Sequence, residues 1–207
     1  MLISKKHNFM FVHIYKNAGT SITAALKPFA LNRWEWVINQ ALKKLKISTR
    51  FDPHPFPDHT KASEIINAIG RESFNSFFSF AIVRNSWDWQ LSLYTFMLKT
   101  TKHPQHDLVK NLGSFDEYIR WRCENEVIFQ KDFIYSNDGE LLVDFVGRYE
   151  NLDADFEKIC SCIGISTTLP KFNVSNTKPY QQYYTDETKK LVRQTFSPDI
   201  ALFGYDF

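Results

Sequence analysis

Lys16, Gly19, Thr20 and Ser21 fall within one short stretch, Lys16-Asn17-Ala18-Gly19-Thr20-Ser21, and residues of these types so close together suit an anion. Glycine lets the backbone approach a phosphate closely, the two hydroxyls add donors, and the lysine adds a full positive charge. Arg84 and Ser92 form a second group of the same kind, because a guanidinium fork and a hydroxyl can together hold one phosphate. The first stretch is not the GxxxxGK[ST] loop of many nucleotide hydrolases: there the lysine follows the second glycine, and here it precedes the only one. The chemistry should differ accordingly.

The elements that must position these residues follow from the apolar pattern. Phe9, Phe11, Val12, Ile14 and Tyr15 read as a buried strand that stops at Lys16, and helix formers run from Thr20 to about Ala30. Strand, tight turn and helix in succession aim free backbone N–H groups and the positive end of a helix dipole at one point. A strand-turn-helix with one glycine is common, so this stretch alone leaves function open. Phe77 to Val83 is a second continuous apolar run, long enough for a buried strand of a parallel sheet, and it ends on Arg84. Trp87, Leu91, Tyr94 and Leu98 then recur at helical spacing, so a helix begins near Ser86 as its N-cap, with Ser92 on the second turn. Arg84 thus closes a strand at its carboxyl end, where open α/β sheets bind ligands.

HIYKNAGTSI from His13 resembles the 5′-phosphosulfate loop, and VRNSWDWQLSLY from Val83 the 3′-phosphate segment, of the carbohydrate-type sulfotransferases that use 3′-phosphoadenosine 5′-phosphosulfate (PAPS). HTKASEI from His59, VDFVGRYENLDADF from Val143 and VSNTKPYQQYY from Val174 are similar to stretches of the same family, so the resemblance runs from about Asn8 to Phe207. Family members usually carry Pro where this chain has Ser86, and often Arg where it has Trp89. Ser86 can cap the helix that proline would start, whereas Trp89 lowers the local charge.

The resemblance implies a P-loop-like α/β fold, a parallel sheet flanked by helices on both faces, in one domain over residues 1–207. It implies PAPS as sulfuryl donor and PAP as product, with Lys16, Asn17, Ala18, Gly19, Thr20 and Ser21 around the 5′ end and Arg84 and Ser92 on the 3′-phosphate. Lys178 would close over the same phosphates. The acceptor would be a carbohydrate or another hydroxylated molecule.

Transfer of SO₃ to a hydroxyl requires stabilising charge on the departing phosphate oxygen and removing a proton from the acceptor. Lys16 is placed for the first task. His59 is the candidate base, since an imidazole with an ordinary pKa near ~6.5 can accept a proton near neutral pH; a surface histidine capping the next helix is the other reading. His54 is the runner-up base, and His13 reads as a strand residue packed under the loop. The sulfuryl group carries less charge than a phosphoryl and no carboxylate cluster is visible, so no metal is expected. Arg148 is either a phosphate contact or an ion-pair partner of Glu150, and the second suits it better. Two readings from other classes remain: a P-loop-type kinase or nucleotide-binding protein, disfavoured by the missing GK[ST], and an inactive module that binds a glycan or nucleotide.

The chain has 207 residues, 43% of them hydrophobic, enough for a substantial core. A net charge of +2 with scattered lysines argues against nucleic acid as a partner. Most of the nineteen phenylalanines are expected in the core, while Trp34, Trp36, Tyr118 and Trp121 could also stack on sugars. Cys123, Cys160 and Cys162 lack metal-ligand spacing and read as free thiols in a reducing compartment. Met1 to Asn8 is polar and basic with no apolar leader behind it, and no stretch could span a membrane, so a cytoplasmic, bacterial-style protein is expected.

Further helices are expected from Asn32, with Trp34, Val37, Ile38, Ala41, Leu42 and Leu45 on one stripe and Lys43, Lys44 and Lys46 away from it. Others follow from Thr60 as N-cap, from Gly113 to Cys123, after Asn151, and from Thr185 to Phe196. Lys99 to Asn111 reads as a loop and Leu141 to Tyr149 as a strand.

Overall fold

The structure is a computed structural model that describes residues 1–31, 33–45, 52–170 and 178–207. In chain order its elements are β1 (Leu2–Ser4), β2 (Phe9–Phe11), α1 (Gly19–Leu26), α2 (Arg33–Lys44), α3 (Ala62–Ile69), α4 (Arg71–Asn75) and β3 (Phe78–Val83). There follow α5 (Ser86–Lys99), α6 (His106–Leu112), α7 (Phe115–Asn125), β4 (Phe145–Arg148), α8 (Leu152–Cys162), α9 (Asp186–Thr195) and α10 (Ser197–Phe203). The chain divides into two compact units, one of residues 1–83 and 132–173, the other of residues 84–131 and 174–207.

The first unit holds an α/β sheet flanked by helices. Among the described residues four strands pair in the order β1-β2-β3-β4. β2, β3 and β4 are parallel, with Phe11 beside Phe80 and Ile82 beside Gly147. β1 is antiparallel to β2, Leu2 pairing with Phe11. This antiparallel edge strand was not foreseen in the first eight residues, which read as polar and basic: Leu2 and Ile3 suffice to pair once residues 5–8 turn the chain back. One sheet face presents Phe9, Phe11, Phe80 and Ile82 to Ile22 and Leu26 of α1 and to Phe156 and Ile159 of α8. Met10, Val12, Ala81 and Val83 alternate with them and are equally buried. Burial on both faces is why these strands are continuously apolar in sequence.

Several boundaries differ from expectation. Only Phe145–Arg148 of the expected 141–149 strand joins the sheet, Leu141 making an isolated bridge to Tyr135. The N-cap of α3 is Lys61, whose N–H donates to the Glu64 carboxylate at 3.1 Å, while the Thr60 hydroxyl donates to the Pro57 carbonyl. The expected start of α2 at Asn32 and the segment at Lys46 lie outside the described residues, as do the side chains of Trp36 and Lys43. In what is described of α2 the apolar stripe faces away from the core. Trp34 (76% exposed) and Leu45, which follows the helix (69%), face out, and Asn39 (6%) is buried.

The second unit is helical. α7 packs on α9, and α5 on α6 and α7. Residues 99–111 were expected as a loop, yet His106–Leu112 is helix, because Val109 finds a fully buried place that its polar neighbours do not signal. Asn85, not Ser86, caps α5, its side chain accepting the Trp87 N–H at 3.0 Å. Thr185 caps α9 as expected, accepting the Thr188 N–H at 3.2 Å. Trp87, Trp89 and Tyr118 are fully buried, so Tyr118 offers no surface to a sugar. Trp121 is half-buried. Among the described residues no helix is long and apolar enough to cross a membrane.

Candidate functional site

The loop that leaves β2 stays beside β3. The Val12 N–H donates to the Phe80 carbonyl at 2.8 Å, and the Asn17 amide, 1% exposed, donates to the Ile82 carbonyl at 2.8 Å. The Asn17 side chain therefore pins the loop to the carboxyl end of the neighbouring parallel strand. Lys16 (φ 64°) and Ala18 (φ 59°) are left-handed, and α1 starts at the next residue. Left-handed residues next to a helix start are the kind of backbone that can present N–H groups to an anion, with the helix dipole adding to the attraction. Thr20 is exposed and Ser21 buried on the first turn.

Gly19 has a second reason beyond close approach. A Cβ built there would lie 1.6 Å from His13 Nε2, so the imidazole occupies the space a side chain would need. His13 stacks on Phe11 at 5.4 Å and packs against the loop at Gly19, but it lies beyond the strand, which ends at Phe11, and not within it as expected. Gly19→Ala is expected to destabilise the fold by about 1–3 kcal/mol through overpacking. Urea denaturation checks this, and a simultaneous His13→Ala should recover part of the loss; additive losses would mean that the two residues do not share this space.

Burial, with the adjacent His59, the chain amino terminus and Lys16, pulls the His13 pKa from 6.5 down to about 3, against an opposing pull from Asp58. Between those values the unfolded chain binds a proton that the folded chain refuses. Stability is then full above 6.5 and falls as pH drops through that window. The urea midpoint should fall between about pH 7 and about pH 5, and the fall should be shallower in His13→Gln.

His59 completes this corner. It too is left-handed (φ 66°), its Nδ1 lies 3.0 Å from the His13 carbonyl oxygen, its ring is 4.5 Å from that of His13, and Tyr15 meets it edge-on at 5.5 Å. A carbonyl only accepts, so Nδ1 carries the hydrogen and a neutral ring keeps its lone pair on Nε2. The capping alternative for His59 fails, since Lys61 occupies the cap of α3. His54 has its Nδ1 against the Met1 carbonyl. Among the described residues the left-handed positions other than glycine are Asn8, Lys16, Ala18 and His59. Three of the four are candidate site residues, and strain of about 1–3 kcal/mol per residue is concentrated there, as it is at functional sites.

In the second unit Arg84 is nearly buried, and its Nε donates to Asp88 at 2.8 Å. Ser92 is one further helical turn along from Asp88, half-buried. The Arg84 backbone is fixed from both sides: its N–H donates to Gln130 Oε1 at 2.9 Å and its carbonyl accepts from Gln130 Nε2 at 2.7 Å. The Asp199 carboxylate in turn accepts the N–H groups of Gln130 (2.7 Å) and Lys131 (3.0 Å). Gln130 and Asp199 are fully buried and escaped the sequence reading. Asp88 was legible as an i, i+4 partner of Arg84. Gln130 and Asp199 lie 46 and 69 residues from the groups they hold, with no local pattern to announce them. Lys178 is exposed. The Arg148 N–H donates to Asp155 at 2.8 Å, which ties the end of β4 to α8.

A cavity of about 320 Å³ lies between α3, α4 and the turn at Ser136–Asp138, and none of the candidate site residues lines it. Among the described residues no group of three or more His, Cys, Asp or Glu side chains could hold a metal ion.

A loop with two left-handed residues runs from a strand to a helix at the carboxyl edge of a parallel sheet, the place where open α/β proteins bind ligands. The profile of the sulfotransferase family matches residues 1–206, and the chain belongs to that family. It is an enzyme of sulfuryl transfer. Its fold is similar to that of mouse sulfotransferase SULT7A1, solved in complex with PAP, with a TM-score of 0.61 at 13% identity over 99% of this chain and 91% of that one. An uncharacterized protein of Archaeoglobus fulgidus is 29% identical over 109 residues, 51% of this chain and 82% of its own length.

Proposed function

We propose that this sulfotransferase uses PAPS to sulfate a hydroxyl of a carbohydrate acceptor, with His59 as general base and no metal in any step. The observation that carries the reading is the orientation of His59: Nδ1 is committed to the His13 carbonyl, and Nε2 is the atom left to take a proton, next to the loop that starts at Tyr15 and Lys16. PAPS supplies an activated sulfuryl group; the chain supplies position, charge and a base. In this reading the loop from Lys16 to Ser21 holds the 5′ side of the nucleotide through backbone N–H groups and hydroxyls. Lys16 offsets the charge that grows on the phosphate oxygen as the sulfur–oxygen bond breaks. Arg84 and Ser92 hold the 3′-phosphate, with Lys178 as a further cation toward the nucleotide.

His59 Nε2 takes the acceptor proton as its oxygen forms the new bond to sulfur, and later passes it to water. The family profile spans residues of both compact units, which supports their working as one catalytic domain. Its three free thiols support a reducing, cytoplasmic setting. The carbohydrate assignment is supported by the segments that resemble carbohydrate-type members. Incubation with PAPS carrying labelled sulfate and a panel of mono- and oligosaccharides tests the reading, with calorimetric titration of PAP alongside. PAP binding with transfer to a sugar is expected. Failure to bind PAP, with stabilisation by Mg²⁺-ATP instead, would overturn it in favour of a kinase-like protein.

A further inference from the structure

α2 carries its apolar residues on the outside. Trp34, Val37, Ile38, Ala41 and Leu45 recur at i, i+3, i+4, i+7 and i+11, one stripe of a helix, and all five are exposed. Asn39, on the opposite side, is the residue that is buried. A helix that buries an amide and shows water a tryptophan, a valine, an isoleucine and a leucine presents its apolar stripe to something outside the chain.

Charge says what kind of surface. The helix sequence carries Arg33, Lys43 and Lys44 against Glu35 as its one acid. Lys44, on its last turn, is exposed, and so is Lys27 on the 3-10 turn that leads toward its start. That turn is braced by the β1–β2 segment: Ser4 Oγ donates to the Phe29 carbonyl at 2.7 Å and His7 meets the Phe29 ring at 5.8 Å, with Lys5 and Lys6 exposed between them. An apolar stripe with an aromatic residue, moderate overall hydrophobicity and lysines around it is the composition of a helix that lies in the headgroup layer of an anionic membrane.

We propose that α2 docks this protein on the surface of an anionic lipid bilayer, the stripe from Trp34 to Leu45 entering the headgroup region and the neighbouring lysines meeting the lipid phosphates. The proposal does not depend on the transferase reading. The test is co-sedimentation of the full chain with vesicles of phosphatidylcholine alone and of phosphatidylcholine mixed with phosphatidylglycerol, at low and high salt. At low salt partition to the anionic vesicles should be at least about tenfold higher than to the neutral ones, and high salt should reduce it.

Val37→Asp with Leu45→Asp should lose about tenfold or more of that partition while melting at the wild-type temperature, and Lys27→Glu with Lys44→Glu should lose the preference for the anionic vesicles. Equal partition to both vesicle types, or an aspartate variant that still sediments, would overturn the proposal. So would an aspartate variant that melts far lower, which would place the stripe inside the fold. Light scattering that shows a dimer split by the aspartates, without vesicle capture, would assign the stripe to a second copy instead.

Discussion

His59→Ala is expected to lower kcat by about 10²–10⁴-fold while PAP binds as in the wild type, because in the proposed mechanism the base acts on the acceptor and not on the nucleotide. The structure supplies the reasons for the assignment and for the control. Nδ1 is held by the His13 carbonyl at 3.0 Å, which fixes the ring and leaves Nε2 as the basic atom. The residue is also left-handed at φ 66°, a conformation alanine adopts at a cost. His59→Asn is therefore the cleaner variant, since asparagine tolerates that backbone yet lacks a basic nitrogen. Single-turnover transfer measured beside calorimetric PAP binding separates the two functions. Transfer at the wild-type rate in either variant would remove His59 from the mechanism.

The second large effect should come from Arg84→Ala. On the proposed assignment it removes a guanidinium from the 3′-phosphate, and charged hydrogen bonds of about 1.5–3 kcal/mol translate into a loss of PAP affinity of about 10- to 150-fold. Asp88 complicates the reading, because its carboxylate accepts from Arg84 Nε at 2.8 Å and would lose its partner. Asp88→Asn tests that contribution separately: it should leave the fold intact and keep PAP binding. Arg84→Lys retains charge without the planar fork and should fall between the extremes. Equal calorimetric affinities for wild type and Arg84→Ala would show that the 3′-phosphate is held elsewhere.

The elements around the candidate site could be read in the chain because their parts are local. A lysine, a glycine and two hydroxyls between an apolar run and helix formers specify strand, turn and helix within about a dozen residues, and Thr185 three residues before Thr188 marks the start of α9. The reading failed where a residue's fate depends on a distant partner. Leu2–Ser4 becomes a strand only because β2 lies beside it. His106–Leu112 is a helix whose one buried anchor, Val109, is surrounded by polar residues in sequence. For α2 the period was legible and the direction was not, since periodicity finds a stripe without saying which way it points.

The sequence by itself determined that a lysine, a glycine and two hydroxyls follow one strand and an arginine another, and it resembled the family to which the chain belongs; side-chain chemistry and strand-to-helix alternation are properties of neighbouring residues. Only the tertiary structure decided that Gly19 is required by the His13 ring, that Asn17 ties the loop to β3, that a carbonyl selects the His59 tautomer, and that Gln130 and Asp199 hold the Arg84 backbone. Each of these is a contact between groups far apart in the chain, set by how the sheet and helices pack and not by any spacing along it.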